Sequence, residues 1–339
     1  MKIQLSHNYN SIIDLENLFS AWREFIVGKK MKLDVQIFSR NLLDNILSLN
    51  EDLANRTYCH GGYVDFYITD PKRRHIHKAS VRDRLIHHTI YRILYPFFDR
   101  TFIADSFSCR NDKGMHKAMN RFRALAYKTS KNHSRTCWVL KCDIRKFFDS
   151  IDHKILMDSL SRYIPDRDIM SLLDEVIESY DSKIYGQDIG LPLGNLTSQL
   201  LANVYMNDFD QWVKHKLKVK YYLRYADDFM VLNDDKEYLE KILPEIGQFL
   251  SKELKLTLHP NKISIRTMAS GVDYLGWVHF TDHRVLRNTT KRKSINRIKI
   301  SPTNATLQSY LGLLSHGNGH KVRERLLNYY WLYKLERVF

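Results

Sequence analysis

A chain of 339 residues with 44% hydrophobic content can bury a large core, spread over two or three subdomains. Its formal net charge of +15 calls for a polyanionic partner. No run approaches the ~18 apolar residues that a membrane span needs, and residues 1–8 lack the apolar core of a signal peptide. The four cysteines, Cys59, Cys109, Cys137 and Cys142, show no Cys-x-x-Cys spacing, so a zinc site is not expected and free thiols in a reducing cytoplasm are.

Residues 10–55 place Ile12, Leu15, Leu18, Phe19, Trp22 and Phe25 at helical spacing. Residues 63–68 alternate weakly as a strand. A turn at Asp70-Pro71 leads into a basic run with Lys72, Arg73, Arg74, Lys78, Arg82 and Arg84. His75-x-His77 and His87-His88 read as polar-face or phosphate-side residues rather than ligands. Residues 81–99 carry a helical stripe, and a basic helix is expected over 113–131. An apolar strand from Trp138 ends at Asp143, and 153–181 is helical. A Gly-Pro loop at 190–195 opens a helix to about Lys216, with Thr197 or Ser198 as its cap or in its first turn. Residues 236–254 form an amphipathic helix. Strands are expected near 263–265 and over 274–280, and the tail from about 302 is helical with a break at Gly317-Asn318-Gly319.

The stretch Tyr225-Ala226-Asp227-Asp228 sits between two apolar runs and reads as a β-hairpin with adjacent acids in its turn. Asp also suits turns because its side chain satisfies turn backbone groups, so the neighbouring segments must decide. From 137 to 267 the order is β–α–α–ββ–α–β, a split βαβ pattern with an antiparallel sheet and helices on one face. It puts Asp143 and the Asp227-Asp228 pair at the ends of adjacent strands. Carboxylates so placed repel unless cations lie among them, and two bridged divalent metals are the usual apparatus of phosphoryl transfer to a 3′-hydroxyl. From His283 to Val322 there is no Asp or Glu, and residues 110–135 hold Asp112 alone. With the 72–84 run these clusters, interleaved with aromatics, favour nucleic acid over a merely solvated face.

Blocks in the right order resemble a reverse transcriptase: residues 80–87, 102–114, Lys141-Cys142-Asp143-Ile144-Arg145-Lys146-Phe147-Phe148, 190–203, the Tyr225-Ala226-Asp227-Asp228 stretch, Lys262, Tyr274-Leu275-Gly276-Trp277 and 309–316. The likeness covers about residues 60–325. It implies an α+β right-hand polymerase of fingers, palm and thumb, with a split βαβ antiparallel palm sheet and a helical thumb. The implied division is an N-terminal helical extension (1–60), fingers (61–136), palm (137–152), fingers and palm helices (153–189), palm (190–283) and a basic helical thumb (284–339). Leu191-Pro192-Leu193-Gly194-Asn195-Leu196-Thr197-Ser198-Gln199 narrows the resemblance to diversity-generating retroelements, a group II intron-like prokaryotic family. Most prokaryotic reverse transcriptases have Gln-Gly and Ser-Pro where this chain has Leu193-Gly194 and Ser198-Gln199.

The resemblance implies two Mg²⁺, with Mn²⁺ as a substitute, held by Asp143, Asp227, Asp228 and the Ile144 carbonyl. Lys262 is the expected general acid for pyrophosphate, or else a structural lysine. Lys72, Arg74 and Arg110, with Phe148, Leu193 and Gly194, are the expected nucleotide-side residues. Phe148 would exclude a 2′-hydroxyl, with Phe147 as the alternative occupant. Tyr274, Leu275, Gly276 and Trp277 would grip the primer, and Arg292, Lys293, Arg297 and Lys299 would bind nucleic acid. Implied partners are template RNA, a DNA or RNA primer, dNTPs and a small basic helical accessory protein that forms a pentamer. The implied activity is cDNA synthesis with errors at template adenines, for mutagenic retrohoming. The alternatives are a faithful retron or group II intron-like enzyme and a non-polymerising RNA-binding defence protein.

Overall fold

The computed structural model describes residues 3–69, 73–180 and 188–335. Helices α1 (Tyr9–Ile13), α2 (Leu15–Phe25), α3 (Leu33–Arg40) and α4 (Leu42–Ala54) precede a hairpin of β1 (Tyr63–Ile68) and β2 (Arg74–Ala79). Next come α5 (Val81–Phe98), α6 (Met115–Thr129) and β3 (Trp138–Asp143). Helices α7 (His153–Ser161), α8 (Arg167–Glu178) and α9 (Leu196–His215) lead to the hairpin of β4 (Tyr221–Tyr225) and β5 (Asp228–Asn233). Then follow α10 (Lys236–Glu253), β6 (Ser264–Thr267), β7 (Val272–Tyr274), β8 (Trp277–His279) and β9 (Arg284–Leu286). The chain closes with α11 (Asn288–Ile300), α12 (Asn304–Leu314) and α13 (His320–Leu335). This is a mixed α/β fold with several antiparallel sheets. No described helix is long and apolar enough to cross a membrane.

The chain divides into two compact units. The first comprises Met1–Ala104, Ile144–Lys218 and Ile246–His259; the second comprises Asp105–Asp143, Val219–Glu245 and Pro260–Phe339. Residues 105–136, expected with 61–104, thus group with the β3–β6 sheet.

In the first unit, α2 presents Leu18, Ala21, Trp22 and Phe25 on one buried face, at the spacing that amphipathic helices use. Helix α5 starts where Ser80 accepts a hydrogen bond from the Asp83 backbone N–H and donates its hydroxyl to the Asp83 carboxylate, a reciprocal cap. Tyr58 also donates to Asp83 at 2.9 Å, so this buried acid has partners for its charge. Thr197 lies in the first turn of α9, one of the two positions expected for it, with Asn195 as the N-cap. Its hydroxyl lies 2.7 Å from His87 Nδ1 on α5. His87 is therefore a buried helix-packing residue.

In the second unit, one sheet has the order β4-β5-β3-β6 and every pairing is antiparallel. The expected adjacency of β3 and the β4–β5 hairpin is therefore observed. Phe122, Val139, Leu223, Met230, Trp277, Ile298 and Tyr330 share one apolar core that runs from the sheet through α6 to the C-terminal helices. The strand expected over 274–280 is instead a turn and strand pair: Leu275 (φ +48°) and Gly276 (φ +85°) join β7 to β8. Two consecutive positive φ angles make the two-residue hairpin connection that matches strand twist. The basic run also contains a strand, β2, which sequence alternation does not reveal because its pairing partner β1 sets it. The turn at Asp70-Pro71 lies outside the described residues, as do 181–187. The helical tail starts at Asn288 rather than near 302, and it breaks at the expected Gly317-Asn318-Gly319 segment.

Gly317 lies flush on the Trp277 ring: a Cβ there would fall 2.2 Å from Trp277 Cζ3. Gly317→Ala is expected to cost about 2 kcal/mol through overpacking. Urea unfolding of the two proteins, compared at one pH, checks this.

Candidate active site

Strand register places the acids. Asp143 ends β3 and stands directly opposite Asp228, the first residue of β5. Tyr225 pairs with Asp228, so Ala226 and Asp227 form the two-residue turn. Ala226 takes φ +55°, a region L residues seldom occupy. Fully buried Arg224 donates to the Ala226 carbonyl at 3.1 Å and holds the turn. Arg224 also donates its backbone N–H to Asp105 O and accepts from Phe107 N–H.

Like charges directly across a strand pair are unfavourable. Two lysines offset them. The Lys262 ammonium donates to Asp143 Oδ1 at 2.7 Å. Lys141 Nζ lies 3.3 Å from Asp228 Oδ2 and donates to Asp273 O at 2.6 Å. Asp228 Oδ1 is buried and has no hydrogen-bond partner among the described residues. Burial pushes the Asp228 carboxyl up to about 7; Lys141 opposes the shift, and Asp227 and Asp143 add to it. An orphaned carboxylate oxygen beside two further acids suits a hard divalent cation, which prefers oxygen ligands. The residues therefore fit Mg²⁺ or Mn²⁺ chemically.

The other expected residues of this unit fall as follows. Tyr274 and Trp277 are fully buried, with the Tyr274 hydroxyl and Trp277 Nε1 unpartnered among the described residues; Leu275 and Gly276 are the turn between them. Burial, then Asp228, holds the Tyr274 phenol well above its ordinary range. Arg110 donates to Ser106 O at 3.0 Å. Arg292, Lys293 and Arg297 are exposed on α11. Lys299 instead lies over the Tyr329 ring at 4.7 Å, so part of its charge serves helix packing.

The first unit holds the remaining residues expected on the nucleotide side. The Leu193 carbonyl accepts the His77 backbone N–H at 3.0 Å. Gly194 has φ +118°, and a Cβ there would meet Ile76 Cγ2 at 2.9 Å. Motif loop and hairpin therefore touch through backbone, next to Arg74 at the exposed start of β2. Phe148 is half-buried and its carbonyl accepts from Leu191 N–H, whereas Phe147 is core. That contrast favours Phe148 over Phe147 as the accessible ring. Ile144 forms an isolated bridge with Leu258. Lys72 lies outside the described residues.

Sequence reasoning missed three features. Lys141 shows itself as a charge inside an apolar strand, two residues before Asp143 and so on the same face. Arg224 is likewise a charge inside an apolar strand, but that pattern does not show its full burial, which tertiary packing decides. The third is a cluster on the β1–β2 hairpin: among the described residues, Asp65, His75 and His77 have ligand atoms that all lie within 4.8 Å of one another. The strand pairing that brings Asp65 to the two histidines is not visible in sequence.

Acids placed together at one end of an antiparallel sheet, with lysines beside two of them, suit metal-assisted phosphoryl transfer. The family model for reverse transcriptase (RNA-dependent DNA polymerase) matches residues 69–279, more than half of the chain, and the chain belongs to that family. The matched domain is that of an RNA-directed DNA polymerase.

Protein YkfC of Escherichia coli is 25% identical over 266 residues, 68% of this chain and 68% of YkfC. Group II intron-encoded protein LtrA of Lactococcus lactis is 21% identical over 338 residues, 80% of this chain and 54% of LtrA. The chain thus spans about half the length of that relative. Telomerase from Candida tropicalis shares the fold at TM-score 0.50 and 12% identity, over 72% of this chain and 60% of that one.

Because the folded-state value of Asp228 lies above the ordinary carboxylate range, the fold holds this proton more tightly than the unfolded chain does. Ion-free protein therefore loses stability as pH rises from about 4 to about 7, and the loss is constant above that. Asp228→Asn is expected to raise Tm at pH 8 in chelator by about 3 °C, with little change near pH 4. Melting curves at both pH values check this, and Mg²⁺ should shrink the difference at pH 8.

Proposed function

We propose that this chain is the reverse transcriptase of a diversity-generating retroelement. It copies a template RNA into cDNA, with errors concentrated at template adenines, for mutagenic retrohoming and protein diversification. The observation that carries this reading is Leu193 in the Leu191-to-Gln199 motif, next to a backbone contact with the β1–β2 hairpin. A glutamine at 193 would offer both a donor and an acceptor near the nascent base pair. Leucine offers neither, so pairing geometry is checked less closely.

In this reading the β3–β6 sheet is the palm, the β1–β2 hairpin belongs to the fingers, and α11–α13 form the thumb. Asp143, Asp227 and Asp228, with the Ile144 carbonyl, would hold two Mg²⁺, which would supply a lowered pKa at the primer 3′-hydroxyl and charge neutralisation on pyrophosphate. Lys262 Nζ, which donates to Asp143 Oδ1, gives a proton to the leaving pyrophosphate. Arg74 and Lys72 bind the incoming triphosphate, since guanidinium and ammonium groups match phosphate oxygens; Arg110 adds a contact. Phe148 excludes a 2′-hydroxyl by contact. The turn Tyr274-Leu275-Gly276-Trp277 positions the primer end, and Arg292, Lys293, Arg297 and Lys299 follow the nucleic-acid backbone.

Exposed Met31, Leu33 and Ile37 around α3 support docking of a small basic helical accessory protein, since large exposed apolar groups mark interaction surfaces. A faithful group II intron-like enzyme is the second reading, favoured by the likeness to LtrA across 80% of this chain. A non-polymerising RNA-binding protein has no use for three mutually repelling acids.

The test is sequencing of cDNA made from the neighbouring template RNA with Mg²⁺, dNTPs and the accessory protein. Errors at template adenines are expected; faithful cDNA would support the second reading. Leu193→Gln is expected to cut adenine misincorporation by about tenfold, the effect of ~1.4 kcal/mol of added discrimination. An unchanged error spectrum would remove Leu193 from the account. Asp227→Asn/Asp228→Asn should abolish cDNA synthesis.

A further inference from the structure

The β1–β2 hairpin carries a second cluster of metal-ligating side chains, in the first unit. Antiparallel register sets Asp65 opposite His77 and Tyr67 opposite His75. Because side chains alternate along a strand, Asp65, His75 and His77 project from one face. His77 Nδ1 lies 2.6 Å from Asp65 Oδ1, and His75 Nε2 lies 3.6 Å from Asp65 Oδ2. The two imidazole rings are 4.2 Å apart. Each carboxylate oxygen therefore faces a different histidine, and the three ligand atoms surround one small volume.

The surroundings fix both rings. Tyr67 stacks on His75 at 4.6 Å with an 11° interplanar angle, and Arg73 lies over Tyr67 at 4.3 Å. The far nitrogen of His77, Nε2, lies 3.1 Å from the Tyr180 hydroxyl. Tyr63 meets both His77 and Tyr180 edge-on, and its hydroxyl lies 2.8 Å from Ser179 Oγ. A partner on the non-ligating nitrogen is the usual outer support of a metal-bound histidine, because it sets tautomer and ring angle. Asp65 is half-exposed and His75 is about one-third exposed, which leaves an approach for an ion and open coordination positions.

We infer that Asp65, His75 and His77 form a divalent transition-metal site, with Zn²⁺ the best-suited ion. Two imidazoles and one carboxylate are a mixed nitrogen and oxygen donor set that suits Zn²⁺, whereas Mg²⁺ prefers oxygen alone. The bound ion cross-links β1 to β2 and adds positive charge near Arg74. The site stands on the hairpin's own geometry and does not depend on the polymerase reading.

The competing account of the same geometry is a histidine–aspartate ion pair with no metal. The test is calorimetric titration of Zn²⁺ into chelator-stripped full chain, repeated with His75→Gln/His77→Gln, Asp65→Asn and Asp227→Asn/Asp228→Asn proteins. The expected result is one tight ion per chain, a rise in Tm on binding, and retention of that ion when the strand-end acids are neutralised. The His75→Gln/His77→Gln protein should bind at least ~100-fold more weakly, and Asp65→Asn should bind more weakly than the parent. Far-UV circular dichroism and ion-free Tm establish that the variants fold; if His75→Gln/His77→Gln does not, Asp65→Asn carries the comparison. Co²⁺ substitution gives a second readout: weak d–d bands without a thiolate charge-transfer band are expected. Unchanged Zn²⁺ affinity in the folded hairpin variants, no tight ion in the parent, or a thiolate band would each overturn the site.

Discussion

Repulsion among Asp143, Asp227 and Asp228 is the constraint around which the second unit is built. Two unit charges 4 Å apart near a protein surface repel by about 4 kcal/mol. The sheet nevertheless fixes Asp143 opposite Asp228. What holds them is the apolar run behind each acid: Val139, Leu140 and Cys142 on β3, and Phe229 to Leu232 on β5, all buried. Each such side chain contributes roughly 1.5–3 kcal/mol on burial, so the strand pair outweighs the repulsion at its end. Both faces of these strands are buried, and a one-residue slip would exchange the faces and misplace every packed side chain, so the acids cannot relax by shifting register. Their remaining means of relief are proton uptake, lysine contacts and cations.

Those contacts tie the acids to the rest of the unit. Lys141 reaches both Asp228 and the Asp273 carbonyl, while Arg287 pairs with the Asp273 side chain. The β7–β8 hairpin is therefore tethered to the sheet within a residue of Tyr274. From there the core continues through Trp277, which contacts Gly317 between α12 and α13. Strand-end acids, turn and C-terminal helices are one packed body, so a change at Gly317 acts on the hairpin through a ring and not through solvent.

Much of this was legible in sequence because it rests on local pattern. The apolar runs flanking the Asp227-Asp228 pair and preceding Asp143 gave strands, their chain order gave the sheet, and amphipathic spacing gave α2, α5 and α10. What was not legible depends on partners distant in sequence. Strand β2 is rich in histidine and basic residues and becomes a strand only against β1. The 274–280 segment reads as one strand because positive φ at Leu275, a residue that disfavours it, leaves no compositional mark. Burial of Arg224 and the meeting of Asp65 with His75 and His77 are likewise properties of pairing. The acids stand out in the sequence, whereas the contact of Lys141 with Asp228 is visible only in the folded sheet.

The first unit separates backbone from side chain at Leu193. The Leu193 carbonyl is the group that accepts His77 N–H, and Gly194, at φ +118° against Ile76, sets how closely the loop approaches β2. A β-carbon at 194 would displace the loop, because the conformation disfavours L side chains and the space is filled. At 193 the side chain is free to vary while the carbonyl contact stays. Loop position is thus a property of Gly194 and the β2 backbone, and the chemical character presented beside it is a property of residue 193 alone. A polar residue there would change the chemical character of the loop while leaving the backbone contact between the Leu193 carbonyl and His77 N–H in place.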